Sequence, residues 1–255
     1  MPAPPTPAPP TPAPPSLAAL RAAAAPIECT LTNPQLNDEG LVFVTGLSRR
    51  GPPDAALRAA IGAVAASARV AWSVTGFDGP YCEALNVLRP MRLRDLRESA
   101  ALALTLKGDV TRLRQDDRMV LRVVMPDFAA HLQVDYLSSD GTIGHLLADD
   151  GAFRHVWTPD GMKRIGPTRR YAPGEVVLIG EPDAASGFEG WAVDEPFGVD
   201  MGVAIAAAEP LRRTPPPVSE SAPVYFRDLR AALDAAEAAK VALSGQALLV
   251  ETVPR

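Results

Sequence analysis

Directly after Met1 the chain repeats a proline pentad three times, as PAPPT, PAPPT and PAPPS. Before Leu17 the repeat offers no apolar side chain beyond alanine and proline. Proline has no backbone N–H to give to a helix or sheet. Residues 1–16 are therefore excluded from any core. They are expected to form an extended polyproline II linker, roughly 3 Å per residue and so on the order of 45 Å long. A spacer separates things, so its place at the start suggests that a membrane anchor, a catalytic domain or both stand before it. About 240 residues remain, enough for one large domain or two modest ones with proper cores.

The rest has an ordinary globular balance, with 22% charged and 47% hydrophobic residues. A net charge of −5 gives a polyanion nothing to bind, which argues against nucleic acid as a partner. The start lacks the basic and apolar regions of a secretory signal. The longest apolar candidate, Val199–Ala208, is interrupted by Asp200 and Gly202 and is too short to span a bilayer. Membrane contact is expected only through a segment absent from this chain. The location is periplasmic or envelope-exposed if the chain belongs to a membrane kinase, and cytoplasmic otherwise.

Periodicity divides the body in two. Ser16 is placed to cap a short helix that Pro26 stops. Ile27–Leu31 reads as an edge strand, Leu41–Gly46 and Arg69–Gly76 as strands, and Pro53–Ser67 as a helix. Leu57, Ile61 and Val64 form that helix's apolar stripe, with Arg58 facing away. Tyr81–Leu88 would close this unit. From Arg118 the texture turns to strands: Met119–Pro126, His131–Gly141, Thr142–Asp149, Glu175–Gly180, Phe188–Val193, the near-continuous apolar run Val199–Ala207, and Gln246–Thr252. A Gly, Pro and Arg-rich loop is expected up to Tyr171. A helix Val224–Lys240 is capped by Ser221 with Pro223 in its first turn. The expected fold class is α+β: a small α/β unit followed by a β-rich, sandwich-like domain with a C-terminal helix. Its parts are a linker (1–16), the α/β domain (17–90), a connector (91–117) and the β-rich domain (118–255).

Several segments of the second domain carry a family resemblance. They are Val134-Asp135-Tyr136, Asp140-Gly141, His145-Leu146-Leu147, Gly180-Glu181-Pro182, Gly190-Trp191 and Pro196-Phe197-Gly198-Val199-Asp200. Together they resemble a bacterial domain of unknown function that is appended to serine/threonine protein kinases and caspase-like proteins, often after a proline-rich linker. The chain departs from that pattern at Ala148, where the family favours proline, and at Met201-Gly202, where larger apolar residues are usual. The first unit looks more loosely like a BON-type α/β fold of cell-envelope proteins. The resemblance implies an accessory region and carries over no catalytic residue.

Catalytic patterns are missing from the sequence. A kinase needs a glycine-rich phosphate loop, a strand lysine, a catalytic-loop aspartate and a magnesium aspartate. Asp127-Phe128 is followed by alanine and reads as a strand end. His131, His145 and His155 lie in no His-Glu-x-x-His helix, although His131 and His145 on adjacent strands could share a metal. The default is a partly exposed strand histidine, and no metal or cofactor is expected. Both cysteines fall in the expected first domain and all three histidines in the second, against a Cys-His dyad. Asp149-Asp150-Gly151 reads as a solvated turn.

Two features remain. Lys163, Arg164, Arg169 and Arg170, with Trp157 and Tyr171 beside them, form a basic-aromatic patch that could hold an anionic partner, a glycan or a lipid headgroup. Cys29 and Cys82 bracket the first unit. They are either a disulfide, which needs an oxidising compartment, or two buried reduced thiols. The expected function is non-catalytic sensing or protein interaction in a bacterial signalling protein, with a serine/threonine kinase elsewhere and a protein as partner. The alternative is a structural envelope module docking to a membrane or cell-wall partner.

Overall fold

The computed structural model describes residues 14–66, 68–95, 101–158, 160–182 and 188–255. Most of the proline linker therefore lies outside the described residues. The chain divides into two units between Gly76 and Phe77.

The first unit runs α1 (Leu17–Ala24), β1 (Thr30–Leu36), β2 (Val42–Arg49), α2 (Pro52–Val64) and β3 (Val70–Phe77). The Ser16 side chain accepts from the Ala19 amide and caps α1. The sheet order is β1-β2-β3. β1 and β2 are antiparallel, whereas the Val42 amide donates to the Arg69 carbonyl, joining the start of β2 to the start of β3. That start-to-start pairing is what a helical crossover requires. The first strand sits later than Ile27–Leu31 because Pro34, which a central strand would reject, is tolerated at the sheet edge. Leu20, Val42, Val44, Leu57 and Ile61 make the core. Arg58 is exposed, off the buried stripe, where it pairs with Asp54 at 2.8 Å and lies over the Trp72 ring at 4.7 Å.

The second unit opens with α3 (Cys82–Asp95) and continues through β4 (Ala103–Leu106), β5 (Arg112–Arg114), β6 (Arg118–Met119), β7 (Leu121–Val124), β8 (His131–Leu137) and β9 (Thr142–Asp149). Then come β10 (Phe153–Thr158), β11 (Gly161–Pro167), β12 (Val176–Ile179), β13 (Trp191–Ala192), β14 (Val199–Ala207), β15 (Ser219–Ser221), α4 (Ala222–Ala238) and β16 (Leu243–Val253). The main sheet has the order β11-β10-β9-β8-β14-β16-β5, with β15 paired to β9. A smaller sheet, β12-β7-β4, covers one face of it. Leu104, Leu121 and Val123 pack there against Leu132, Val134, Ala204 and Ala206. The helices cover the other face. Tyr225 on α4 reaches Asp135, and a Cβ at Gly245 on β16 would lie 2.8 Å from Leu88 of α3, so that strand needs glycine for the helix to approach. This is an α+β architecture, a sandwich of unequal sheets backed by helices.

Two sequence boundaries move. α3 does not close the first unit but packs on β16, and the supposed connector 91–117 supplies β4 and β5 to the second unit's sheets. The supposed loop before Tyr171 is largely the β10–β11 hairpin.

Candidate functional site

Adjacent strand residues point to opposite faces of a sheet. On β8 this sends Asp135 and Tyr136, two neighbours in one motif, to different tasks.

Asp135 points toward α4 and is fully buried. A register irregularity at Val134/Asp135 sets His145 directly opposite it. His145 Nδ1 lies 2.7 Å from Asp135 Oδ1. Asp135 Oδ2 accepts from the Tyr225 hydroxyl at 2.7 Å and from Gln133 Nε2 at 2.6 Å. On its far side, His145 Nε2 is 3.0 Å from Glu220 Oε1 without a hydrogen bond's alignment, and Glu220 also takes Arg212 at 3.1 Å. Burial pushes the Asp135 carboxyl up. The hydrogen bond and charge of His145, helped by Arg212 and Gln133, outweigh it and hold the group below its ordinary value. Burial, then the Asp135 charge, keeps Tyr225 a neutral donor. The network pins α4 and β15 to the sheet.

Tyr136 points the other way, into a cavity of about 510 Å³. Trp157 of β10, Trp191 of β13, Gly144 and Leu146 of β9, Pro196 and Asp200 also line it. The Trp191 indole donates to the Trp157 carbonyl at 3.2 Å and packs edge-on to Phe188. Gly180 makes this wall possible. Its φ is +96°, and a Cβ there would meet the Met119 carbonyl oxygen and the Trp191 ring, each at 2.5 Å. Asp200 accepts from the Tyr136 hydroxyl and from the Ser139 amide, both at 2.9 Å. Burial first, then the Asp200 charge, pushes the Tyr136 and Tyr81 phenols far above their ordinary range, so both remain protonated donors. Asp140 and Asp194 add two carboxylates, and among the described residues no lysine, arginine or histidine lines the cavity.

The Asp149-Asp150 turn is not solvated charge, because both side chains are buried. Asp149 accepts from Thr168 at 2.7 Å and from the Gly151 amide, and it faces His131 Nδ1 at 3.0 Å. Asp150 accepts from the Phe153 and Ala152 amides and faces His155 Nε2 at 2.9 Å. In each, burial raises the carboxyl but the donors prevail and hold it below its ordinary value. His131 and His145 thus have separate carboxylate partners and do not converge. Among the described residues no cluster of three or more metal-ligating side chains occurs.

The basic-aromatic patch comes apart. Trp157 lines the cavity. Arg164 stacks on Phe153 at 3.9 Å, and Lys163 pairs with Asp160 at 3.5 Å. Arg169 pairs with Glu175 and lies over Tyr171, which is itself buried. Arg170 donates to the Ala129 carbonyl at 3.1 Å. Each of these cations thus has a local partner, and none of them lines the cavity that Trp157 lines. Cys29 and Cys82 are both disulfide-bonded, and neither is a free thiol.

Sequence reasoning did not select Tyr136, Trp191 or Asp200 as site residues. A signal existed: all three stand in the quoted motif segments, and two of the chain's three tryptophans line this one cavity. Among the described residues no helix is long and apolar enough to cross a membrane. No protein-family model matches the chain, and neither does any curated protein.

Proposed function

We propose that this chain is a non-catalytic sensing or interaction region of a bacterial signalling protein, and that the cavity walled by Trp157 and Trp191 is its receiving element. One observation carries the reading. Motif segments that are far apart in sequence meet at a single cavity: Tyr136, Asp140, Trp191, Pro196 and Asp200 all line it. Its volume falls within the range of small-molecule sites. Serine and threonine hydroxyls line it, but the chain's histidines are each engaged with carboxylates elsewhere. A linked serine/threonine kinase and a protein partner complete the proposal, on the strength of the resemblance and the proline spacer. The oxidised cysteines favour an envelope-exposed setting. The same observation supports a second reading, a structural envelope module.

The test is occupancy. Trp157 and Trp191 should report ligand binding through their fluorescence when the purified chain is titrated with small organic cations, anions and neutral sugars. At least one class is expected to bind saturably, and Gly144→Phe, which fills the cavity, should abolish the response. No saturable response from any class would overturn the cavity's role. Genomic context separates the settings: an upstream kinase with a membrane segment supports signalling, and a lone lipoprotein signal supports the envelope module.

A further inference from the structure

Gly144 is in the middle of β9, paired with Tyr136 on one side and Ser219 on the other. Glycine there weakens a strand and needs a reason. Backbone conformation is not that reason, since Gly144 is not among the residues with positive φ. Close packing is not the reason either, because a Cβ built on it meets nothing within 4 Å. The missing side chain leaves open space, and that space is the cavity.

The charges in this space are one-sided. Asp140, Asp194 and Asp200 line it, and none of the three forms an ion pair among the described residues. Asp200 is held in place by the Tyr136 hydroxyl and the Ser139 amide, while the Tyr81 hydroxyl donates to the neighbouring Val199 carbonyl at 2.6 Å. A carboxylate has about four acceptor positions, so about two stay open. An anion entering here would meet three like charges and no counter-ion. A cation would meet fixed carboxylates and the electron-rich faces of tryptophan and tyrosine, which attract cations. Pre-positioned groups also lower the ordering cost of binding.

We propose that the cavity takes an organic cation, an ammonium or guanidinium group on an apolar body, with its charge at Asp200 and its body against Trp157 and Trp191. This rests on the reading of the cavity as a binding site. The cation is either a free amine or the lysine or arginine side chain of a partner protein.

Choline and agmatine serve as free cations, 3,3-dimethylbutan-1-ol as choline's neutral isostere, phenylacetate and glucose as contrasts, and acetyl-Gly-Arg-Gly-amide as the side-chain source. All are followed by tryptophan fluorescence. At least one cation is expected to bind ten-fold or more tightly than the isostere, phenylacetate and glucose, and to weaken as salt rises from low to high. Agmatine binding above the peptide marks a free amine, and the reverse marks a partner's side chain. Asp200→Asn should cost the cation about ten-fold and leave the isostere unchanged. If that variant does not fold, Asp140→Asn and Asp194→Asn with the salt series give the same reading. Equal binding of cation and isostere, or preference for glucose or phenylacetate, overturns the cation while leaving the cavity a binding site. No binding of any probe overturns both.

Discussion

Replacing Asp135 by alanine should remove the single acceptor on which three buried donors converge. Gln133 Nε2, the Tyr225 hydroxyl and His145 approach it at 2.6, 2.7 and 2.7 Å. Each orphaned buried donor costs about 1–3 kcal/mol, and partial relaxation keeps the sum to about 4 kcal/mol. In a unit of this size each kcal/mol moves Tm by about 2–4 °C, so a fall of about 8–16 °C is expected by far-UV circular dichroism. Tyr225→Phe removes one donor and leaves two others on the carboxylate, so it should cost about 1 kcal/mol. The sign with pH follows from the direction of the shift. The folded carboxyl is held below its unfolded value, so its contribution is full above the unfolded pKa of about 4 and is lost as pH falls through the lower folded value. The gap between wild type and Asp135→Ala should be level from neutral pH down to about 4 and shrink below it. A Tm change under about 2 °C, or a gap that persists in strong acid, would refute the network as a pin.

Other expectations are open to direct measurement. Gly180→Ala forces a Cβ onto the Met119 carbonyl at positive φ and should cost about 3 kcal/mol in urea denaturation, whereas Gly144→Ala, with open space around it, should be neutral or slightly stabilising. If both behave alike, the packing argument at Gly180 fails. The triple change Arg164→Ala, Arg169→Ala, Arg170→Ala should leave any cavity ligand's affinity within about two-fold, because these cations stack and pair locally. A large loss would restore the basic patch as the binding surface. Deleting Met1–Pro15 should leave Tm unchanged, and a drop of many degrees would show that the linker packs on the body. Alkylation of the unfolded, unreduced chain should find no free thiol at Cys29 or Cys82, and two alkylated cysteines would exclude the bond.

Local chemistry set by the sequence alone accounts for the regular elements. The apolar run Val199–Ala207 is β14, buried between β8 and β16 as a run without polar alternation requires. Leu57 and Ile61 give α2 its buried stripe, and Pro223 sits in the first turn of α4 beyond Ser221. The α+β class followed from the change of period along the chain. Partners were decided by tertiary structure. Segment 153–167 looked like a loop because Gly, Pro and Arg are poor strand formers, yet pairing with β9 makes it a hairpin. Asp149 and Asp150 looked solvated because a carboxylate's burial depends on donors that the chain delivers from elsewhere, here Thr168 and His155. The cavity is the extreme case. Its walls come from β6, β8, β9, β10, β13, β14, β15 and β16, so no window of sequence contains it. A strand's period of two tells that Asp135 and Tyr136 face apart, but only the packed sheets decide that one face holds a buried pin and the other an open, acidic, aromatic space.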